Sequence, residues 1–282
     1  MPTIQWYPGH MAKAKREAQE KIKLVDLVIE LADARIPESS RNPIIQEIIG
    51  QKPSLLILNK ADLADPATTR AWEDYYRSQG QQALSLDAQH LRSTKAINRV
   101  IQDQMQDFFA KRKAKGIKPR AIRLMILGIP NVGKSTLINR FVGKNQAQTG
   151  NKPGVTKAQR WLKIGKEFEL LDTPGILWPK FEDPMTGHHL ALTGAIKDQL
   201  LPMQELALVL IEQLRQHYPG LLENHYQLEV PEDLSSSDYL IQFTQAMNLG
   251  EDFNQAGEGL IQDFRSGKLG ALSLEFPQGE VD

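Results

Sequence analysis

Residues 123–135, RLMILGIPNVGKS, read as a short buried strand that runs into a glycine loop, G-x-x-x-x-G-K-S from Gly128 to Ser135, with a helix following over Lys134–Phe141. A strand before and a helix after are the context a phosphate loop needs. Glycines let backbone N–H groups converge on phosphate oxygens, and the helix N-terminus adds partial positive charge. Lys134 is placed to reach the β- and γ-phosphates and to act in catalysis, and the Ser135 hydroxyl to bind Mg²⁺. Asn131, Val132, Gly133, Lys134, Ser135 and Thr136 are therefore candidate nucleotide contacts.

Two other motifs belong to the same kind of site. Asp172-Thr-Pro-Gly175 ends an apolar strand about forty residues further on. An acid there can hold the Mg²⁺ shell, and the Gly175 N–H can sense a γ-phosphate. Between the two lies NKPGVT, residues 151–156, whose Thr156 can swing onto Mg²⁺ when a γ-phosphate is present. Asn59-Lys60-Ala61-Asp62 selects the base. The Asp62 carboxylate can accept both guanine N1–H and the 2-amino group, a donor pair adenine lacks. Asn59 either contacts guanine O6/N7 or braces the loops, and the Lys60 stem covers the base. Asp87 and Ala88, after the next strand, are expected to add backbone contacts. The nucleotide is thus GTP or GDP, with an ATPase as the rival reading. NKAD precedes the phosphate loop, the reverse of the usual order, so the connections of the sheet must be rewired.

Strand-length apolar runs alternate with helical stretches through most of 1–178. Strands are predicted at Leu24–Leu31, Ser54–Leu58, Ala83–Leu86 and Arg123–Leu127, with two more around a Gly165 turn within Trp161–Leu171. Helices are predicted at His10–Lys23, Pro43–Ile49, Thr68–Gln79, Ser93–Lys115 and Lys134–Phe141. Such alternation argues for an α/β fold, a mostly parallel sheet with helices on both faces. After Trp178-Pro179 strand signals fade, and helical spacing at Leu190–Ile196, Met203–His217 and Ser236–Met247 predicts a smaller, mostly α-helical unit. The expected domains are 1–179 and 180–282.

Composition bounds the rest. At 41% hydrophobic and 24% charged, the 282 residues can bury a core. No cysteine is present, which excludes disulfides and thiolate metal sites. No apolar run is long enough to span a membrane, and Met1–Tyr7 lacks a signal-peptide stretch, so a cytoplasmic protein is expected. The zero net charge is uneven. Residues 180–282 carry 5 Lys/Arg against 17 Asp/Glu, a net of −12, which leaves +12 for residues 1–179. The first part can meet phosphates; the last part should be repelled by them.

Together the segments WYPGHMAKA (6–14), DARIP (33–37), RNP (41–43), NKAD, GIPNVGKS, PGVT (153–156) and DTPGI (172–176) resemble the circularly permuted GTPases of the YlqF/YawG group. They span about two-thirds of the chain. The resemblance implies a circularly permuted P-loop GTPase domain and a helical C-terminal domain, with a role in maturation of the large ribosomal subunit and hydrolysis stimulated on the ribosomal particle. It implies a catalytic role for His10, because Ile176 stands where many GTPases have a water-orienting Gln. It further implies K⁺ at Asn131, contact with rRNA, and a monomer off the ribosome. The alternative is a GTP-dependent binding module or RNA-associated factor not coupled to ribosome assembly.

Overall fold

The computed structural model describes residues 9–118, 120–143, 161–171, 175–177, 181, 183–196, 202–231 and 233–277. Six strands form one sheet: β1 (Leu27–Asp33), β2 (Ser54–Asn59), β3 (Gln82–Leu86), β4 (Ile122–Gly128), β5 (Trp161–Ile164) and β6 (Phe168–Leu171), in the spatial order β3-β2-β1-β4-β6-β5. All neighbours are parallel except the β5/β6 hairpin. The expected mostly parallel α/β sheet is present.

Helices cover both faces, which is why every residue of β1 is buried; its two carboxylates, Glu30 and Asp33, are paired with Arg41 and Arg35. On one side lie α1 (Gly9–Lys21), α2 (Pro43–Ile49) and α3 (Pro66–Ser78). Ala14, Ala18, Ile45 and Ile48 pack there against Val28, Met125 and Leu127, and Trp72 and Tyr76 pack against Leu56 and Leu58. On the other side α4 (Lys95–Ala114) and α5 (Lys134–Val142) place Ile97, Ile101, Leu137 and Ile138 in one cluster with Ile29, Leu31 and Ile126 of the sheet. Local chemistry fixes the helix starts. Asn42 and Asp65 cap α2 and α3, accepting from Ile44 N and Thr68 N, each followed by a proline that needs no donor.

The remaining helices are α6 (Pro184–Leu192), α7 (Met203–His217), α8 (Leu221–Tyr226), α9 (Ser236–Ala246) and α10 (Phe253–Arg265). Helix α6 begins earlier than the spacing predicts, because Asp183 caps it and Pro184 opens it; Leu190–Ile196 holds its last turn and the bend after it. The first strand lies about three residues later than predicted, since a short 3₁₀ turn at Ile22–Leu24 precedes it. The core on the α4/α5 side continues through Leu177 and Phe181 into Leu206, Leu210, Phe243, Leu260 and Phe264 of the helical region. The chain then returns to the sheet. Leu272 and Leu274 donate their N–H groups to Leu63 O and Arg35 O, both at 2.9 Å. The Glu275 carboxylate accepts from the Glu38 and Ser39 amides and meets His189 Nδ1 at 2.9 Å.

Candidate nucleotide site

The strand order reverses direction between β1 and β4, and in open parallel sheets a ligand crevice forms outside the strand C-termini at such a point. The motifs lie there. Asp33 ends β1, Asn59 ends β2, Asp87 follows β3, Gly128 ends β4, and Gly175 lies shortly after β6. The reversed motif order therefore leaves the spatial arrangement of the loops intact.

One side chain ties three of these loops. Asn59, 3% exposed, donates Nδ2–H to Val132 O at 2.7 Å and accepts the Ala88 N–H on Oδ1 at 2.9 Å. The NKAD loop, the phosphate loop and the Asp87–Ala88 loop are thereby fixed to one another, so bracing, one of the two roles open for Asn59, is present. Ala61 N–H adds a bond to Leu86 O at 3.1 Å. From α5, Arg140 donates to Ala88 O at 3.2 Å and to Gln89 O, a link that carries no signal in residue type or spacing.

The phosphate loop is pre-shaped. Asn131 and Gly133 have φ of 58° and 101°. At Gly133 an added Cβ would lie 2.1 Å from Asn59 Nδ2, and at Gly175 it would lie 2.8 Å from Pro130 N and 3.0 Å from Lys134 Nζ. Close approach requires glycine at both positions, and at Gly133 the positive φ adds to the requirement. Lys134 donates Nζ–H to Ile129 O at 2.7 Å within its own loop. Ser135 and Thr136 are half-buried in the first turn of α5. Beyond Gly175, Ile176 donates to Gly128 O at 3.2 Å and accepts from Asn42 Nδ2 at 2.7 Å, and its side chain is fully buried.

Charge is concentrated beside the NKAD loop. Asp33 is paired with Arg35 at 2.8 Å and with the Lys60 ammonium at 2.8 Å. Burial disfavours the Asp33 anion, but the two cations outweigh it and hold its carboxyl well below the usual range. Burial pushes the Lys60 ammonium down, partly offset by Asp33. The DARIP segment stands out in the sequence with no task for Asp33 or Arg35; Asp33 anchors the Lys60 tip, and Arg35 holds Asp33. Burial, then the neighbouring Asp87 carboxylate, pushes the Asp62 carboxyl up. Asp62 and Asp87 converge with His90, whose Nδ1 meets Asp87 Oδ2 at 2.5 Å.

Asn131 faces the helical region, donating Nδ2–H to Gly194 O at 2.9 Å. His10 lies in the first turn of α1, and its side chain is outside the described residues. Thr156 and Asp172 also lie outside them. Among the described residues no helix is long and apolar enough to cross a membrane.

Comparison with known proteins agrees with this geometry. The model of the family described as 50S ribosome-binding GTPase matches residues 123–234. The ribosome biogenesis GTPase A of Priestia megaterium is 51% identical over 280 residues, covering 98% of this chain and 97% of that protein. The mouse mitochondrial ribosome-associated GTPase 1 is 33% identical, covering 96% and 90%. In fold, the chain is similar to YlqF of T. maritima solved with GNP, with a TM-score of 0.64 at 24% identity, covering 94% of this chain and 99% of that one. By sequence over nearly its whole length, this chain belongs to the ribosome biogenesis GTPase A family.

Proposed function

We propose that this GTPase acts in maturation of the large ribosomal subunit, binding a subunit precursor in its GTP state and leaving after hydrolysis stimulated on the particle. The observation that supports this most is the Asn59 brace. It holds a guanine-reading loop, a base-covering loop and a phosphate loop in one crevice, an arrangement a nucleotide-independent scaffold would not need.

In this reading Asp62 accepts guanine N1–H and the 2-amino group, while Ala61 and the Asp87–Ala88 backbone close around the base. The phosphate-loop amides of Asn131, Val132, Gly133 and Thr136 and the Lys134 ammonium hold the phosphates. GTPases of this kind use Mg²⁺, and the Ser135 hydroxyl with Asp172 and Thr156 offers the hard oxygen donors that ion takes. Bound there, Mg²⁺ supplies positive charge against the β- and γ-phosphate oxygens. The Asn131 amide oxygen is the proposed K⁺ ligand. Ile176 is wholly buried and can orient no water. That task falls to His10, on the helix that packs against Ile176's own cluster.

Residues 1–179 are taken as the GTPase domain and 180–282 as a helical domain whose position follows contacts to the γ-phosphate at Thr156 and Gly175. The basic residues of α1 and of the α4 C-terminus, including Lys13, Lys15, Arg16 and Lys111–Lys115, are the proposed rRNA contacts. Work on a cytoplasmic particle by a monomer fits this reading.

Single-turnover hydrolysis tests it. With large ribosomal subunits in K⁺ buffer the rate is expected to rise at least about tenfold over the free protein, and Na⁺ is expected to reduce the rise. Asp62→Asn should weaken GTP binding by one to two orders of magnitude, about 1.4–2.8 kcal/mol. No stimulation by subunits would favour a GTP-dependent binding module instead, and unchanged GTP affinity in Asp62→Asn would remove the guanine assignment.

A further inference from the structure

Helix α7 carries a stripe the nucleotide site does not use. Glu205, Leu208, Val209 and Glu212 recur at i, i+3, i+4 and i+7, so they share one face. That face lines a groove of about 460 Å³, walled by His188 of α6 and by Ser236 and Ser237 at the start of α9. Its floor is apolar and half-buried, Leu208 and Val209, and an exposed carboxylate stands at each end. Among the described residues neither Glu205 nor Glu212 has an ion-pair partner. His188 is 9% exposed, and its Nδ1 has no hydrogen-bond partner. Burial holds its imidazolium below the ordinary value, so the wall adds no positive charge.

An apolar floor between two carboxylates suits a particular shape of guest. Lys and Arg side chains have aliphatic stems that lie along apolar surface and cationic tips that seek carboxylates. A phosphate backbone meets the opposite sign here, and residues 180–282 as a whole carry −12. The geometry points to this groove as a docking site for a basic polypeptide segment, with Lys or Arg stems on Leu208 and Val209 and their tips on Glu205 and Glu212. This groove thus takes a protein segment rather than a nucleic acid, and other faces of the helical region are left open. The inference rests on the groove alone and stands whether or not the nucleotide cycle is coupled to ribosome maturation.

Fluorescence anisotropy of the full chain tests it, with a labelled peptide of alternating Lys, Leu and Arg as probe. Glu205→Gln combined with Glu212→Gln is expected to weaken peptide binding about tenfold, the sum of two partly shielded charge pairs. Glu251→Gln combined with Glu258→Gln makes the same change of charge on exposed positions elsewhere and is expected to have less than about a twofold effect. These exposed substitutions leave the core untouched, and a thermal melt verifies folding. Equal losses in the two pairs would mean generic attraction and overturn the proposal. So would labelled oligouridylate whose binding responds more strongly than the peptide to the groove pair.

Discussion

At the scale of residues, the site depends on amides and carboxylates that hold loops. Asn59 is both donor and acceptor, and no smaller side chain satisfies Val132 O and the Ala88 N–H together. Asn59→Ala leaves both groups buried and unpaired. Each such group costs about 1–3 kcal/mol, so a destabilisation of about 2–6 kcal/mol is expected. A thermal melt should drop by several degrees, and GDP should restore less of the loss than it does for the native chain, because the loops it binds are no longer registered. A melt within about one degree of the native value would show that the brace is dispensable. The placement of two of these loops was legible in the sequence: NKAD follows a buried strand, and GKS follows another and opens a helix. What could not be read was the partner of each group. Nothing in the sequence says that the Lys60 tip ends on Asp33, or that Asn42 reaches Ile176 O, because those contacts join residues far apart in the chain.

At the scale of elements, the loops after β2 and β3 bring two carboxylates together, and this has a pH signature. In the proposed reading, only ionised Asp62 accepts both guanine donors. Burial and the Asp87 carboxylate both favour the protonated form of Asp62, so its carboxyl titrates above the usual aspartate range. GDP affinity is therefore expected to fall on acidification at a higher pH than an ordinary aspartate would allow. Asp87→Asn removes one of the two causes and should shift that fall to lower pH while leaving affinity at neutral pH nearly unchanged. Titration calorimetry across the acid range checks it, and superimposable profiles would show that Asp87 does not act on Asp62. The elements themselves were mostly readable. Helix α7 matches its predicted limits, and α2 does as well. Helix α10 escapes the sequence reading because Gly257 and Gly259 depress its propensity. The structure supplies the reason for one of them: a Cβ on Gly257 would lie 2.7 Å from Met203 O, so close packing against α7 requires glycine there.

At the scale of the molecule, the C-terminal turn of α6 is where the helical region meets the nucleotide crevice. Its carbonyls end a helix and carry partial negative charge. Arg265 of α10 donates to Ala191 O at 2.6 Å and Leu192 O at 2.9 Å, Arg35 reaches Thr193 O at 3.4 Å, and Asn131 of the phosphate loop donates to Gly194 O at 2.9 Å. Four successive carbonyls are thus held by three different parts of the chain. Arg265 holds the first two and Asn131 the last, so the position of α6 and the shape of the phosphate loop depend on each other. Arg265→Met keeps most of the stem and removes the donors to Ala191 O and Leu192 O. If the turn transmits, GDP affinity should fall about fivefold, a coupling of about 1 kcal/mol, although Arg265 belongs to none of the nucleotide motifs. By the same linkage, GDP should protect the amides of residues 191–196 from hydrogen exchange in the native chain, and protect them less in the variant. A variant that melts earlier yet binds GDP with native affinity would assign Arg265 to packing of α10 alone, and would mean that Asn131 holds Gly194 without passing anything on.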